Sequence, residues 1–372
     1  MTVAASSPVT PPAFFSRELV KADGRALWLY GRSPIAGEIT APMPLGAATA
    51  PNPHLRWHPL RGEWVAYAGH RQNRTFLAPP EYDPLSPTVD PGAPTELPEG
   101  RFDVAVFENR FPTLFGDSGP PPRAAVPTAP ARGVCEVVVF TQDAGGSLGA
   151  LALSHVELIV SVWADRTARL GARDDVQYVM PFENRGVEVG ATLPHPHGQI
   201  YAYPFVPPIP AREGALEAAH YAATGRCLLL ELAEGERSEH ARVVVEGPDV
   251  IAFVPAFARY AYEVWIVPSA PAPRLDSLAP RARLDLARVL KTTLQKLDRL
   301  FGAPMPYVLV VHQAPTDGAP HPESQLHFEI YPAWRMRGRL KHLAGSELGA
   351  GTFTADTIPE EKAAELRVEV PS

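Results

Sequence analysis

The chain has 372 residues, 45% of them hydrophobic, with a formal net charge of -7 and a pI near 6.0. That apolar content suffices for one large domain or two medium ones, and the acidic balance shows none of the basic surface of a nucleic-acid-binding protein, although local Arg and Lys can still hold a phosphate. Cys135 and Cys227 are too few for a disulfide framework or a Cys-rich zinc knuckle. They fit a reducing compartment, so the expectation is a cytoplasmic protein.

The start, "MTVAASSPVTPPAFF", lacks a basic region followed by an apolar run, so it does not read as a signal peptide. No segment approaches the ~20 apolar residues of a membrane span. Residues 1–21 read as a flexible N-terminal segment. Asp23-Gly24 then signals a turn before a short strand ending near Gly31. In "LRWHPLRGEWVAYAGHRQNRTF" (55–76), "LRG" marks a tight turn and "EWVAYA" alternates as a strand does. Proline-rich stretches at 78–100 and 116–133 exclude helices and central strands. Because they flank the strand-like 102–111, they read as loops inside a domain. A strand follows at 135–142.

Residues 154–172 form an amphipathic helix with Val156, Ile159, Val160 and Trp163 on one face, Ser154 as N-cap and Gly171 as stop. A strand at 176–184 leads through a Gly-bearing loop to "LPHPHGQIYAYP" (193–204). Residues 241–255 read as a hairpin turning at Gly-Pro-Asp, and 262–269 as a strand. A helix over 280–302 gathers Leu284, Leu290, Leu294, Leu297 and Phe301, with Gly302 ending it. Strands at 307–313 and 324–332 close the series.

Each half thus runs strands, one long helix, a strand, a loop and a polar-alternating strand ending in Tyr-Pro. His195, His197 and Gln199 alternate in the first such strand; Gln325, His327 and Glu329 alternate in the second. This is the pattern of a diverged internal duplication. The predicted fold class is α+β, with two mainly antiparallel sheets, each packed with helices, in units 22–212 and 213–372.

On a strand, residues two apart share a face. His195, His197 and Gln199 would project together where a core strand would carry apolar side chains. A lone His-x-His pair is more often a solvated surface; the glycine, the prolines and the parallel triplet point instead to a site. A neutral imidazole is a good nucleophile near pH 7. Attack on phosphorus gives a phosphoramidate able to pass the group on, and a neighbouring amide can donate to phosphoryl oxygens as charge builds. Gly198 would leave room for a phosphate beside the backbone.

"FENRGVEVGATLPHPHGQ" resembles the active-site region of the galactose-1-phosphate uridylyltransferase family, a branch of the histidine-triad superfamily. "RWHPLRGEWVAYAGHRQNR", "VFENRFPTLFGD", "GVCEVVVFTQD", "HQAPTDGAPHPESQLHFEIYP" and "LKHLAGSELGAG" are similar to that family in the same order, over roughly residues 22–365. The resemblance implies two tandem histidine-triad-like domains. It also implies ping-pong transfer of UMP from UDP-glucose to galactose 1-phosphate, with His197 as nucleophile, His195 beside it and Gln199 on the phosphoryl oxygens. It places Arg71, Arg74 and Thr192 near the phosphates, and Asn109, Phe111, Glu183 and Asn184 around the nucleoside. Lys341, Ser346 and Glu347 match a segment that contacts the sugar from the partner subunit of a homodimer.

The sequence departs from the family in places. Where many members hold a zinc through two cysteines, a further His and the first His of the motif, this chain has Asp83, Ser86 and His195, and no His between Arg101 and His155. Serine is a poor zinc ligand, so that zinc is expected to be absent. A second metal site is implied at Glu213, His312, His327 and Glu329, with Glu329 where some relatives have a third His; the set suits structural zinc or iron. Phe353 stands where some relatives bond a sugar hydroxyl, which leaves the hexose open. The alternatives are a nucleotide-sugar phosphorylase or adenylyltransferase using ADP-glucose or phosphate, and a non-catalytic nucleotide-binding relative. Against the last stand the intact His197, Gln199 and arginine pair.

Overall fold

The computed structural model describes residues 14–46, 51–73 and 82–368. The first strand, β1 (Phe15–Val20), turns at Lys21–Gly24 into β2 (Ala26–Gly31). Residues 15–20 therefore do not belong to a flexible segment: they pair in register along β2, from Phe15 opposite Gly31 to Val20 opposite Ala26. The expectation for 1–13 lies outside the described residues.

Next come β3 (His54–His58), β4 (Glu63–Tyr67), β5 (Val104–Glu108), β6 (Thr128–Pro130) and β7 (Val134–Val139). Helix α1 (Leu153–Gly171) precedes β8 (Tyr178–Arg185) and β9 (His197–Tyr203). Helices α2 (Pro208–Thr224) and α3 (Leu228–Glu239) lead to β10 (Val243–Glu246), β11 (Val250–Phe253) and β12 (Val264–Pro268). Helix α4 (Pro280–Leu300), β13 (Tyr307–His312), β14 (His327–Pro332) and α5 (Pro359–Arg367) complete the larger elements.

The duplication is explicit in the strand order. One eleven-stranded sheet runs β1-β2-β5-β7-β9-β8-β13-β14-β12-β11-β10, and a small sheet runs β4-β3-β6. From the middle outward, β8-β9-β7-β5-β2 mirrors β13-β14-β12-β11-β10, with α1 and α4 in equivalent crossings. Each half is a mainly antiparallel sheet packed with helices, as predicted. The two sheets meet edge to edge, because β8 pairs antiparallel with β13. They also share a core in which Trp163 and Leu158 of α1 join Leu286, Leu290 and Leu294 of α4. The expected division at 212/213 falls inside α2, which starts at Pro208.

Two details of the predicted helices change. Ser154 sits within the first turn of α1 after an Ala152 cap, and its Oγ accepts a bond from Arg32 Nη1 at 2.9 Å. Leu284 is 43% exposed, because the buried stripe of α4 runs through Leu286, Leu290, Leu294 and Leu297. The sequence reading left 208–239 without an element. Helix α2 has Glu217 as its one buried residue and prolines in its first turn, so no apolar stripe marks it.

Helices α1 and α4 cover one face of the sheet. On the other face, α3 packs on β11 and β12 through Leu229, Ala233, Ile251, Phe253 and Val267. The Pro-rich loop places Leu85 and Leu97 on Leu27, Leu29 and Phe107. The small sheet brings Leu55 against Cys135 and Leu114. Between these covers β9 is left partly open.

A buried ion pair ties α1 to β7. Arg166 donates to Glu136 Oε1 at 2.5 Å and Oε2 at 3.0 Å, and its guanidinium lies 3.7 Å over the Trp28 ring. Glu136 is fully buried. Removing the cation strands a carboxylate, so Arg166→Met should cost about 3–5 kcal/mol, and adding Glu136→Met should restore most of it. Thermal melting of the single and double variants checks this.

Candidate active site

The pleat and register decide which side chains meet. Gln199 lies opposite Val137 and Phe182, Phe182 opposite Val310, Val310 opposite Glu329, and His312 opposite His327. With period two, His197, Gln199, Phe182, Asn184, His312, His327 and Glu329 all project from the face away from α1 and α4.

His197 opens β9. Its Nδ1 lies 2.7 Å from the His195 carbonyl oxygen. Donation there fixes the tautomer and leaves the Nε2 lone pair outward. Burial, the largest influence, and the nearby His195 ring lower the His197 pKa from 6.5, while the bond to the His195 carbonyl opposes them. The ring is therefore neutral at pH 7.

Two cavities meet at this ring. One, of about 280 Å3, is lined by Arg71, Asn109, Phe111, Thr192, His197 and Gln199, with Tyr82 and Leu85 from the Pro-rich loop. The other, of about 290 Å3, is lined by Ser147, Asn184, Arg185, Thr192, His195 and His197. His197, Thr192 and Leu193 border both. A larger cavity of about 470 Å3 shares Asn109 and Arg110 with the first but does not reach His197.

Arg71 Nη1 donates to the Phe111 carbonyl at 3.1 Å, Thr113 Oγ1 at 2.7 Å and the Tyr201 hydroxyl at 3.3 Å. Its partners are neutral, so among the described residues no carboxylate cancels its charge. Arg74 lies outside the described residues. Asn109 Oδ1 accepts the Phe111 N–H at 2.8 Å, which folds the "ENRF" turn into the cavity wall. The Gln199 amide has no hydrogen-bond partner among the described residues. Tyr201, which anchors Arg71, was missed in the sequence reading. The alternation through His197 and Gln199 continues to it and could have found it.

Three expectations need correction. Glu183 borders the second cavity, but its carboxylate turns to the opposite face, where Tyr307 Oη donates to it at 2.8 Å. Burial raises its pKa to about 7. Gly198 does not make room for a phosphate: a Cβ there would come within 2.8 Å of the Phe140 ring and the Phe182 carbonyl, so the glycine serves packing on the helix face. His195 precedes β9 instead of sharing its open face. Its ring is fully buried, with Nδ1 2.6 Å from Asp83 Oδ2 and Nε2 2.8 Å from the Thr141 carbonyl.

Ser86 Oγ donates to the same Asp83 oxygen at 2.7 Å. Ser86 and His195 thus both spend a polar atom on the same Asp83 oxygen. One imidazole with both nitrogens engaged, one carboxylate and one hydroxyl do not fit tetrahedral zinc.

Glu213, His312, His327 and Glu329 do converge, with ligand atoms all within 4.8 Å of one another. Glu213 Oε2 lies 2.6 Å from His312 Nδ1, and His327 Nε2 lies 3.6 Å from Glu329 Oε1. His327 Nε2 and Glu329 Oε1 are buried without a hydrogen-bond partner. Burial works to lower the pKa of His327, yet Glu329 and Glu213 hold it up at about 9. Two carboxylates so enclosed call for a cation, and the residues fit a metal ion. Helix α2 supplies Glu213, so the cluster ties that helix to β13 and β14.

Lys341, Ser346 and Glu347 form a compact segment of their own. Lys341 Nζ lies 3.3 Å from Glu347 Oε1, and Ser346 Oγ donates to the Thr352 carbonyl at 2.7 Å. None of them lines either cavity at His197. Phe353 packs near Tyr260 and under the Arg259 guanidinium. No helix among the described residues is long and apolar enough to cross a membrane.

Comparison with known proteins bears on this arrangement. Residues 47–207 match the profile described as galactose-1-phosphate uridyl transferase, N-terminal domain, and residues 215–371 match that of its C-terminal domain. The galactose-1-phosphate uridylyltransferase of Thermotoga maritima is 39% identical over 321 residues, covering 84% of this chain and 97% of that protein. That of Streptomyces lividans is 36% identical over 362 residues, covering 93% and 95%. A solved structure of uridylyltransferase superposes with a TM-score of 0.75 at 36% identity, covering 84% of this chain and 97% of the other. Matched by both domain profiles and by relatives over nearly their whole length, the chain belongs to the galactose-1-phosphate uridylyltransferase family.

Proposed function

We propose that this enzyme moves UMP from UDP-glucose to galactose 1-phosphate through a uridylyl group carried on His197 Nε2. The observation that carries the reading is His197 itself: a neutral ring with Nδ1 tied to the His195 carbonyl and Nε2 outward where two cavities meet. Nε2 attacks the α-phosphorus, an N–P bond forms, and the bond from phosphorus to the bridging oxygen breaks. Glucose 1-phosphate departs with that electron pair. A phosphate oxygen of galactose 1-phosphate then attacks the same phosphorus, and the electrons of the N–P bond return to Nε2.

Gln199 donates to the phosphoryl oxygens as their charge rises. Arg71, uncancelled by any described carboxylate, offsets the diphosphate, and Arg74 is assigned the same task from the sequence. Thr192 sits at the junction where the phosphates pass. Asn109 and Phe111 hold the nucleoside, and Asn184 borders the second cavity. Glu183 supports this wall from the core side through Tyr307.

The segment with Lys341, Ser346 and Glu347 reaches the sugar from a second copy of the chain in a cytoplasmic homodimer. Its separation from His197 within one chain supports that reading. A zinc or iron ion held by Glu213, His312, His327 and Glu329 supplies structural cross-linking there. The repeat units read from the sequence, 22–212 and 213–372, meet within α2.

Incubation with UDP-glucose alone should add one uridylyl group to the wild type and none to His197→Gly, read by intact mass. An adduct formed from ADP-glucose instead would favour the phosphorylase or adenylyltransferase reading, and no adduct from either the non-catalytic one. The adduct rate should hold constant above neutrality and fall only below pH 6.5, since the His197 pKa is lowered. Elemental analysis should find one zinc or iron per chain, lost in His327→Ala together with part of the thermal midpoint. Mixing inactive His197→Gly chains with inactive Glu347→Ala chains should restore part of the activity, because one site of the mixed dimer is then intact.

A further inference from the structure

The uridylyl chemistry leaves the buried His195 ring and the Asp83 carboxylate of the Pro-rich loop without a task. Asp83 belongs to the Pro-rich loop whose neighbours Tyr82, Pro84 and Leu85 line the first cavity beside His197. Its Oδ2 accepts from His195 Nδ1 at 2.6 Å and from Ser86 Oγ at 2.7 Å, and its Oδ1 accepts the Leu85 N–H at 2.9 Å. Burial opposes this carboxylate, but the bonds from His195, Ser86 and Leu85 outweigh it and hold the Asp83 pKa at about 2. It is therefore a full anion.

On its far side the His195 ring meets the Thr141 carbonyl at 2.8 Å. Both ring nitrogens thus face an oxygen, which fixes the ring on two sides. The His195 backbone carbonyl, in turn, accepts from His197 Nδ1 at 2.7 Å. One unbroken line of bonds thus runs from the loop carboxylate through His195 to the ring whose Nε2 faces both cavities.

We propose that Asp83 is a positioning residue for His197: by gripping the His195 ring it holds the carbonyl that sets the His197 tautomer, and it docks the loop wall of the first cavity in the same contact. The contact needs no metal, since the residues that meet here do not fit one. The inference rests on the reading of His197 as the uridylyl carrier. It assigns the orienting charge to a residue outside the histidine motif.

The test compares wild type, Asp83→Asn and Asp83→Glu in the full-length protein with bound metal. Single-turnover adduct formation from UDP-glucose should slow in Asp83→Asn by about 10- to 100-fold, as when the partner orienting a functional histidine is lost. The rate loss should exceed any accompanying loss of UDP affinity or of thermal midpoint. Nitrogen-15 NMR of labelled histidines should show His197 wholly Nδ1-protonated in wild type and mixed between tautomers in Asp83→Asn. Asp83→Glu, which keeps the charge on a longer arm, should recover part of the rate and carries the test if Asp83→Asn does not fold. The proposal is overturned if the Asp83→Asn rate stays within about threefold of wild type, if the rate loss merely tracks lost UDP affinity and melting, or if the His197 tautomer is unchanged. Absence of any adduct in wild type would remove the uridylyl reading, while the tautomer comparison would still decide the role of Asp83.

Discussion

The antiparallel pairing of β8 with β13 is the constraint on which the rest depends. It fuses two repeats into one sheet and aligns their pleats. Because side chains alternate with period two, a single register then settles two questions at once. It puts His197 and Gln199 on the same open face as His327 and Glu329. It sends Glu183, one residue from Phe182, to the helix-covered face with Tyr307. A slip of one residue in that pairing would put His327 and Glu329 on the opposite face from His197 and Gln199.

The two repeats solve a shared local problem in the same way. His197 Nδ1 bonds the carbonyl two residues earlier, at His195, and His327 Nδ1 bonds the carbonyl two residues earlier, at Gln325, at 3.0 Å. Both rings thereby present Nε2 away from the strand. In the first repeat that nitrogen meets a cavity. In the second it meets Glu329, with Trp265 stacked on the ring and Glu213 of α2 close to the adjacent His312. The same strand geometry thus faces a cavity in one half and a cluster of carboxylates in the other, and the surroundings decide which.

Most strands and both crossover helices were legible because they bury regular apolar patterns; β1 and β6, which bury little, were not. Helices α2 and α3 were not: α2 buries almost nothing, and α3 buries only a few residues against β11 and β12. Leu284 misled because the apolar side chains of α4 outnumber its buried face. Ser154 misled because a hydroxyl near a helix start can serve Arg32 as readily as the cap. His197, Gln199, Arg71, Asn109, Phe111 and Thr192, named from the sequence, all line one cavity. Tyr201 was visible in the same alternation and overlooked.

From the sequence alone came the repeat order, the strand that carries His197, the metal-ligating set and the departure at Asp83 and Ser86. The repeat order and the His197 strand are properties of spacing and residue type, which local geometry converts into faces, while the metal-ligating set and the departure at Asp83 and Ser86 follow from the resemblance to the family. Tertiary structure alone decided that the two sheets are one, that Glu183 faces the core and that Gly198 answers to Phe140. It also decided that Asp83 closes on His195. Each of these depends on which chemically distant segment lands opposite a given side chain, and strand pairing sets that only once the whole sheet has formed.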